Sequence, residues 1–268
     1  MDPGSAALRD IVDVGRYPVN QPTSREYNAL AQRCRADLAS SGVSILQGFV
    51  HSSAVDRLVT EAEAQATFGY ASDVLGTPYL EVPSDDWPHD HPRSTWGHTR
   101  LTATAYDRIA PQAALRQLYE SPVILQFLID ALGFEIFTYD DPLGGLNMAA
   151  MYDGDELFWH FDQTDFVVSL AIQSSNAGGD FECIQRIRNE AQEHYDDVNA
   201  LLNGDNSRVT TLAMQPGTLM LFEGRYSIHR VSPIHGTTPR YVGLFGYDRK
   251  PGTCSSALLR EIRYGRNA

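Results

Sequence analysis

From Gly133 to Asp248 the chain breaks into short runs of β-branched and aromatic residues separated by Gly, Pro, Asn and Asp, and this texture constrains the fold more than any other feature. Strands are expected near 135–140, 145–152, 157–162, 165–173, 179–184, 207–214, 217–223, 226–232 and 240–248, none longer than nine residues. Many short strands bounded by turn residues predict an all-β sandwich or barrel. One stretch breaks the rhythm. From Arg186 to Asn203 the positions Ile187, Ala191, Tyr195, Val198 and Leu202 repeat at helical spacing ahead of Gly204, which predicts a helix inserted between two strands.

The half before Gly133 reads as mainly helical. Thr23 and Glu26 form a capping-box pattern ahead of Tyr27, Leu30, Cys34 and Leu38, one apolar helix face that ends near Gly42. The segment 43–50 is expected as a strand and 53–67 as a second helix. A connection from Gly69 to about Thr104 carries prolines, aspartates and His89, His91 and His98, and reads as loop or lid. Residues 112–132 read as helical with a joint at Ser121-Pro122, where serine caps and proline takes the first helical position. No linker divides the chain, so one domain over 1–268 is expected: a helical layer and lid to 133, a strand-rich core over 134–250 and an extension over 251–268. The fold class is α+β.

With 43% hydrophobic residues the chain can fill a sizeable core. Its 34 acids against 21 bases give a formal charge of −13, with no basic stripe, which argues against nucleic acid as partner. No apolar run approaches the roughly 20 residues of a membrane span. The start "MDPGSAALRDIVDVG" lacks a basic leader and an apolar core, so no secretory signal is expected. Cys34, Cys183 and Cys254 are odd in number and widely spaced, as reduced thiols of a cytoplasmic protein are.

Within this frame stands "FWHFDQTDF", residues 158–166. On a strand, residues i and i+2 share a face, so His160 and Asp162 point together as two of the ligands a metal needs. A third donor must come from elsewhere, and the candidates are His229, His235, His89, His91 and His98. His229 lies mid-strand, whereas His235 falls in a turn bounded by Pro and Gly. His89-Asp90-His91 has the same spacing as the first pair but sits in a polar, proline-flanked segment, where a solvated loop is the simpler reading. Two histidines and one carboxylate suit ferrous iron and leave coordination positions open for a chelating cosubstrate and O2. Arg240 follows His229 by eleven residues, enough to turn at "SPIHGTTP" and return as the neighbouring strand. A guanidinium there can hold a carboxylate in a bidentate pair, as the distal end of 2-oxoglutarate would require.

The order His160-Phe161-Asp162, His229, Arg240 resembles the HxD…H…R signature of the iron(II)/2-oxoglutarate-dependent dioxygenases, over roughly residues 135–250. That resemblance implies a double-stranded β-helix, or jelly roll, with the cofactors Fe(II), 2-oxoglutarate and O2. "WHFDQTDFVVSLAIQ", "GGDFECIQRIR" and "GTLMLFEGRYSIHRVSPIHGTTPRYVGLFGYDR" look similar to the branch of carrier-independent hydroxylases and halogenases that act on free amino acids. Halogenases of that branch lack the carboxylate ligand, so Asp162 implies hydroxylation. The chain departs from the wider family at Val242, where many members place Ser or Thr two residues after the arginine; Thr238, Tyr226 and Asn147 are the candidates to assist the cosubstrate instead.

The expected partner is a small molecule, a free amino acid. Val242, Leu244 and Gly246 share the face of Arg240 and favour an aliphatic side chain over lysine. Arg100 or Arg93 in the long connection would meet the substrate carboxylate, and Gln163, Asp165, Asn147 or Asp180 its ammonium. Trp159, Phe161 and Phe166 read as core or pocket wall, and Gly178-Gly179 as a plain turn or a close approach to a ligand. Desaturation, oxidative cyclisation and lysine hydroxylation stay open, as do a cupin-like hydrolase or isomerase, a jelly-roll binding module, and the oligomeric state.

Overall fold

The computed structural model describes residues 8–81, 84 and 86–268. The leader reading therefore falls partly on residues outside those described, as do Val82, Pro83 and Asp85 of the long connection.

In the first half, helix α1 (Arg25–Ser41) leads into strand β1 (Val43–Leu46) and helix α2 (Ser52–Ala66). Tyr27, Leu30, Cys34 and Leu38 are buried along α1, as their spacing requires. The cap is Ser24, one residue later than Thr23, and its hydroxyl accepts the Tyr27 N–H at 3.0 Å. Gly42 ends the helix at φ 73°, a conformation that lacks a Cβ penalty only for glycine. Helices α3 (Ala114–Tyr119) and α4 (Pro122–Leu132) follow, and Ser121 and Pro122 act as expected, one capping and one opening α4.

The connection from Gly69 to Thr104 is not all loop. It contributes strands β2 (Tyr70–Gly76) and β3 (Gly97–Ala105), paired antiparallel from Tyr70 opposite Ala103 to Gly76 opposite Gly97. In "GHTRLTATA" Leu101, Ala103 and Ala105 are buried on one face and Thr104 on the other, so the strand signal rests on threonine and alanine rather than on large apolar residues.

The second half forms β4 (Phe137–Thr138), β5 (Leu146–Met151), β6 (Glu156–His160), β7 (Val167–Gln173), β8 (Ala177–Gly178), β9 (Phe181–Ile184), β10 (Thr210–Leu212), β11 (Leu219–Phe222), β12 (Ile228–Val231), β13 (Ile234–His235), β14 (Arg240–Phe245) and β15 (Tyr247–Asp248). The main sheet runs β1-β11-β7-β14-β5-β3-β6-β12-β9-β10, with β2 beside β3. It curls into the two facing layers of a double-stranded β-helix, β1-β11-β7-β14-β5 opposite β6-β12-β9-β10. β3 joins them by pairing with β5 at residues 102–105 and with β6 at Thr99 and Arg100. The fold is α+β, as the strand pattern implied.

The inserted helix is shorter than expected. Only α5 (Tyr195–Leu202) forms, while residues 186–194 wrap as turns. Ile187 is buried without a helix, because the Arg188 guanidinium stacks 3.8 Å from the Phe161 ring centre and Arg186 ties to the Ala39 carbonyl at 2.7 Å and to Glu223 at 2.8 Å. A last helix, α6 (Ala257–Tyr264), crosses β2 and β3. The largest apolar cluster packs α1, α2 and α4 against the β1-β11-β7-β14-β5 layer, with Phe127, Leu128 and Val168 fully buried in it. No helix among the described residues is long and apolar enough to cross a membrane.

Candidate active site

His160 is the last residue of β6, and its Cα partner across the antiparallel pair is His229 of β12. Pairing puts two histidines 69 positions apart in sequence face to face, with ring centres 4.2 Å apart. Each ring lies 2.8–3.0 Å through Nδ1 from the carbonyl two residues upstream, Phe158 for His160 and Ser227 for His229. A carbonyl only accepts, so Nδ1 carries the proton and Nε2 keeps its lone pair, the arrangement that orients a metal-ligating imidazole. Burial and the neighbouring His229 hold the His160 pKa well below the usual histidine value, so its ring is neutral near pH 7. His229 is wedged between Phe181, stacked at 5.3 Å, and Phe222, edge-on at 5.0 Å.

Asp162 lies just past the end of β6. The strand stops at His160 rather than at 162, and the chain turns, with the Phe161 N–H donating to Pro78 and the Asp162 N–H to Gly224. The carboxylate lies 3.9 Å from His160 Nε2 through Oδ1 and 3.5 Å from His229 Nε2 through Oδ2. Oδ2 is buried without a hydrogen-bond partner among the described residues. Two imidazoles tied through Nδ1 to backbone carbonyls and one orphaned carboxylate oxygen, with ligand atoms all within 4.8 Å of one another, form a site that suits a divalent cation, and the N2O donor set suits ferrous iron.

The three residues open into a cavity of about 390 Å³ between the two layers of the β-helix. Arg240 enters it from the first position of β14 in the opposite layer. It is buried, and its one hydrogen-bond partner among the described residues is the Met151 sulfur, at 3.9 Å. Burial pulls its pKa down to about 10, with Asp180 opposing the shift, and no acid among the described residues forms an ion pair with it. A cation held so at the end of a cavity is a receptor for an anion. Gly179 makes room for it: a Cβ there would stand 3.1 Å from Arg240 Cδ and 2.6 Å from Ile234 Cδ1. Gly179 thus serves close packing beside the arginine, while Gly178 lies against the Pro233 carbonyl.

Asn147, Gln163 and Leu244 line the same cavity. Leu244 stands between Asn147 and Ser169 as the Cα partner of both, so the three form one row across β5, β14 and β7. The structure places other expected contacts elsewhere. Arg100 is held by Asp155 at 2.7 Å and by the Gly154 carbonyl at 2.6 Å, and Arg93 bonds Glu81 and Tyr195; neither lines the cavity. Asp165 is taken by Arg225 at 2.7 Å and Arg249 at 3.6 Å. Thr238 is fixed through its N–H to Asn176 at 2.7 Å, and Tyr226 reaches Glu190, both outside the cavity. Arg93, Arg100, Asp165 and Tyr226 are each taken by a partner that the fold brings up from elsewhere in the chain. His91 stacks on Trp87 at 4.3 Å, in keeping with a loop histidine rather than a ligand.

Several lining residues escaped sequence reasoning. Ser169 has a buried hydroxyl without a partner, and its signal was a lone serine inside "FVVSLAI". Tyr139, whose pKa is pushed up to about 12 by burial and by Asp248, stands in a short linking segment. Asp248 lines the cavity, with its oxygens accepting the Arg249 N–H at 2.6 Å and the Thr253 hydroxyl at 2.8 Å. Ser255, Ser256, Leu259, Arg263 and Tyr264 come from α6 and its approach.

Known proteins agree with this architecture. The epimerase SnoN from nogalamycin biosynthesis, described as non-heme and alpha ketoglutarate dependent, superposes with a TM-score of 0.56 at 12% identity, covering 82% of this chain and 81% of its own. A second SnoN structure holds Fe3+ and alpha ketoglutarate, with nogalamycin RO. AviO1 from Streptomyces viridochromogenes Tue57 gives 0.55 at 16% identity, covering 87% of this chain and 100% of its own. A prolyl hydroxylase from Trichoplax adhaerens, solved with a hypoxia inducible factor peptide fragment, gives 0.55 at 16%, with 85% and 96% covered. At these identities the likeness is one of fold. No curated protein matches in sequence. The family described as Halogenase D matches residues 95–258, a span that holds β3 to β15 with His160, Asp162, His229 and Arg240. Since that match covers more than half of the chain, the protein belongs to the Halogenase D family.

Proposed function

We propose that the protein is an iron(II)/2-oxoglutarate-dependent oxygenase that hydroxylates a C–H bond of a free, aliphatic amino acid. The observation that carries the reading is Asp162. A halogenating relative of the kind the sequence resembles needs that coordination position for a halide, and here a carboxylate fills it. The pocket is fitted to this carboxylate, since a Cβ at residue 224 would lie 1.6 Å from Oδ2.

Bound to His160, Asp162 and His229, ferrous iron with 2-oxoglutarate and O2 supplies the oxidant for an unactivated C–H bond, with succinate and CO2 released. The protein's own part is binding and enclosure. Arg240 receives the distal carboxylate of 2-oxoglutarate in a bidentate pair, which restores the interaction its buried guanidinium lacks. Asn147 and Ser169, on the row beside Leu244, offer polar contacts to the molecules bound there. Val242, Leu244, Val231 and Phe166 wall the cavity with apolar surface, which favours an aliphatic substrate and excludes water from the reacting carbon. No side-chain acid or base is needed at that carbon.

The test is anaerobic reconstitution with Fe(II), then succinate release with 2-oxoglutarate and O2 across free amino acids in chloride-containing buffer, with mass spectrometry of the products. A gain of one oxygen is expected. A chlorinated product would refute the role given to Asp162, and a loss of two hydrogens would assign desaturation or cyclisation.

A further inference from the structure

Two arginines line the cavity, Arg240 and Arg263. They differ from the arginines around them. Arg93, Arg100, Arg188, Arg225, Arg230 and Arg260 are each ion-paired to an acid, whereas Arg263 forms no ion pair among the described residues. It is half-buried on α6 and lines the same cavity as His160, Asp162 and His229.

The helix that carries it is pinned. Ser256 caps α6 by accepting the Leu259 N–H at 3.2 Å. Arg260 lies 3.3 Å from the buried Asp141, which also accepts the N–H groups of Leu143 at 2.9 Å and Ser255 at 2.8 Å. Tyr264 is buried in a cluster with Leu101, Met151 and Val231. Gly265, at φ 64°, closes the helix so near the Tyr70 ring that a Cβ there would lie 2.4 Å from it. Arg263 is therefore presented by a fixed element, one residue from a buried anchor. A partly desolvated guanidinium without a counter-charge is costly, and a ligand that brings the missing anion removes that cost. Arg240 accounts for one anion, the cosubstrate's, and Arg263 remains for a second.

We propose that Arg263 receives the carboxylate of the substrate, so that α6 selects carboxylic acids over the corresponding amides and amines. The assignment rests on the oxygenase reading above and deepens it. It replaces Arg93 and Arg100, whose charges are already satisfied outside the cavity. Arg263 lies beyond residue 258, where the match to the Halogenase D family ends, so the assignment is argued from the geometry of this chain.

The experiment uses the full chain reconstituted with Fe(II), the proteinogenic L-amino acids and their primary amides as probes, and two readouts: the rise in unfolding temperature on adding each probe, and the KM for probe-dependent succinate release. The acids are expected to bind, with the amides weaker by about tenfold or more. Arg263→Gln should raise the KM of the best acid by about tenfold or more and remove the distinction between acid and amide, with Arg263→Lys in between. Unfolding curves without probe establish that both variants fold, and the lysine variant carries the test should the glutamine variant fail to. Equal use of acids and amides by the unmodified chain would overturn the proposal. So would an unchanged KM in Arg263→Gln, an increase in the KM for 2-oxoglutarate instead, or binding of iron and 2-oxoglutarate with none of the acids bound. Failure of the unmodified chain to take up iron or to respond to 2-oxoglutarate would overturn the oxygenase reading itself, and this proposal with it.

Discussion

The Asp162 carboxylate occupies the space that a side chain at Gly224 would need: a Cβ there would fall 1.6 Å from Oδ2 and 2.9 Å from Asp162 Cβ. Gly224→Ala therefore moves a metal ligand without altering any ligand. We expect iron affinity to fall by about 10–100-fold, measured by competition with a chelator, while His160 and His229 remain in place. Unfolding temperature should fall in the single variant and recover in Gly224→Ala/Asp162→Gly, where the clash is gone. An iron affinity unchanged by Gly224→Ala would refute the ligand role of Asp162.

Arg240→Met separates binding from stability. Burial of the unpaired guanidinium penalises the folded apo-protein, so an isosteric apolar side chain should stabilise it by roughly 1–4 kcal/mol in urea unfolding. The same variant should lose the rise in unfolding temperature that 2-oxoglutarate gives the iron-loaded protein. A variant that is less stable and still responds to 2-oxoglutarate would contradict both the site and its cosubstrate.

Stability of the metal-free protein should fall with acid from about pH 6.5. His160 has a depressed pKa in the folded state, so below the unfolded value of 6.5 the unfolded chain takes up a proton that the folded chain refuses. Unfolding is favoured by up to about 1.4 kcal/mol per pH unit per such histidine until the folded value is reached, and above pH 6.5 the contribution is constant. Urea midpoints of the chelator-treated protein from pH 7.5 to 5 should show this slope, and His160→Phe should flatten it.

Asp141 anchors α6. Burial alone would push its pKa up, but the N–H groups of Gly144, Leu143 and Ser255 and the Ser255 side chain outweigh it and keep the carboxylate ionised. Asp141→Ala strands Arg260 and three N–H groups, and should cost about 2–4 kcal/mol in urea unfolding. If α6 presents Arg263, the variant should also raise the KM for the amino-acid probe, with 2-oxoglutarate affected less.

The parts of this site that could be read from the sequence are those whose chemistry is rare at their position. A histidine mid-strand at 229 and an HxD pair in an aromatic run place polar groups where packing alone would favour apolar ones, and Arg240 is unusual at the start of a strand that is otherwise apolar. Arg100 and Asp165 misled for the opposite reason. Arg100 reads as a loop residue but stands on β3, Asp165 stands in a loop where charges are common, and only the folded chain reveals that Asp155 and Arg225 take them first. β3 was missed because threonine and alanine carry its alternation, and Arg263 because a short amphipathic helix after the β-helix looks the same whether it faces solvent or a cavity.

β3 has a mechanical consequence. Because β2 holds one edge of β3 while β5 and then β6 pair with successive parts of its other edge, the two layers are joined along one seam, and β1 and β10 end the main sheet path. The histidines stand on one leaf of this clamshell, on β6 and β12, and Arg240 on the other, on β14. A molecule with an anion at one end and a chelating group at the other acts as a strut between the leaves. Amide exchange in β12 and β14 should then slow together when such a strut is in place, and neither leaf should stiffen with iron alone as far as both do with the pair.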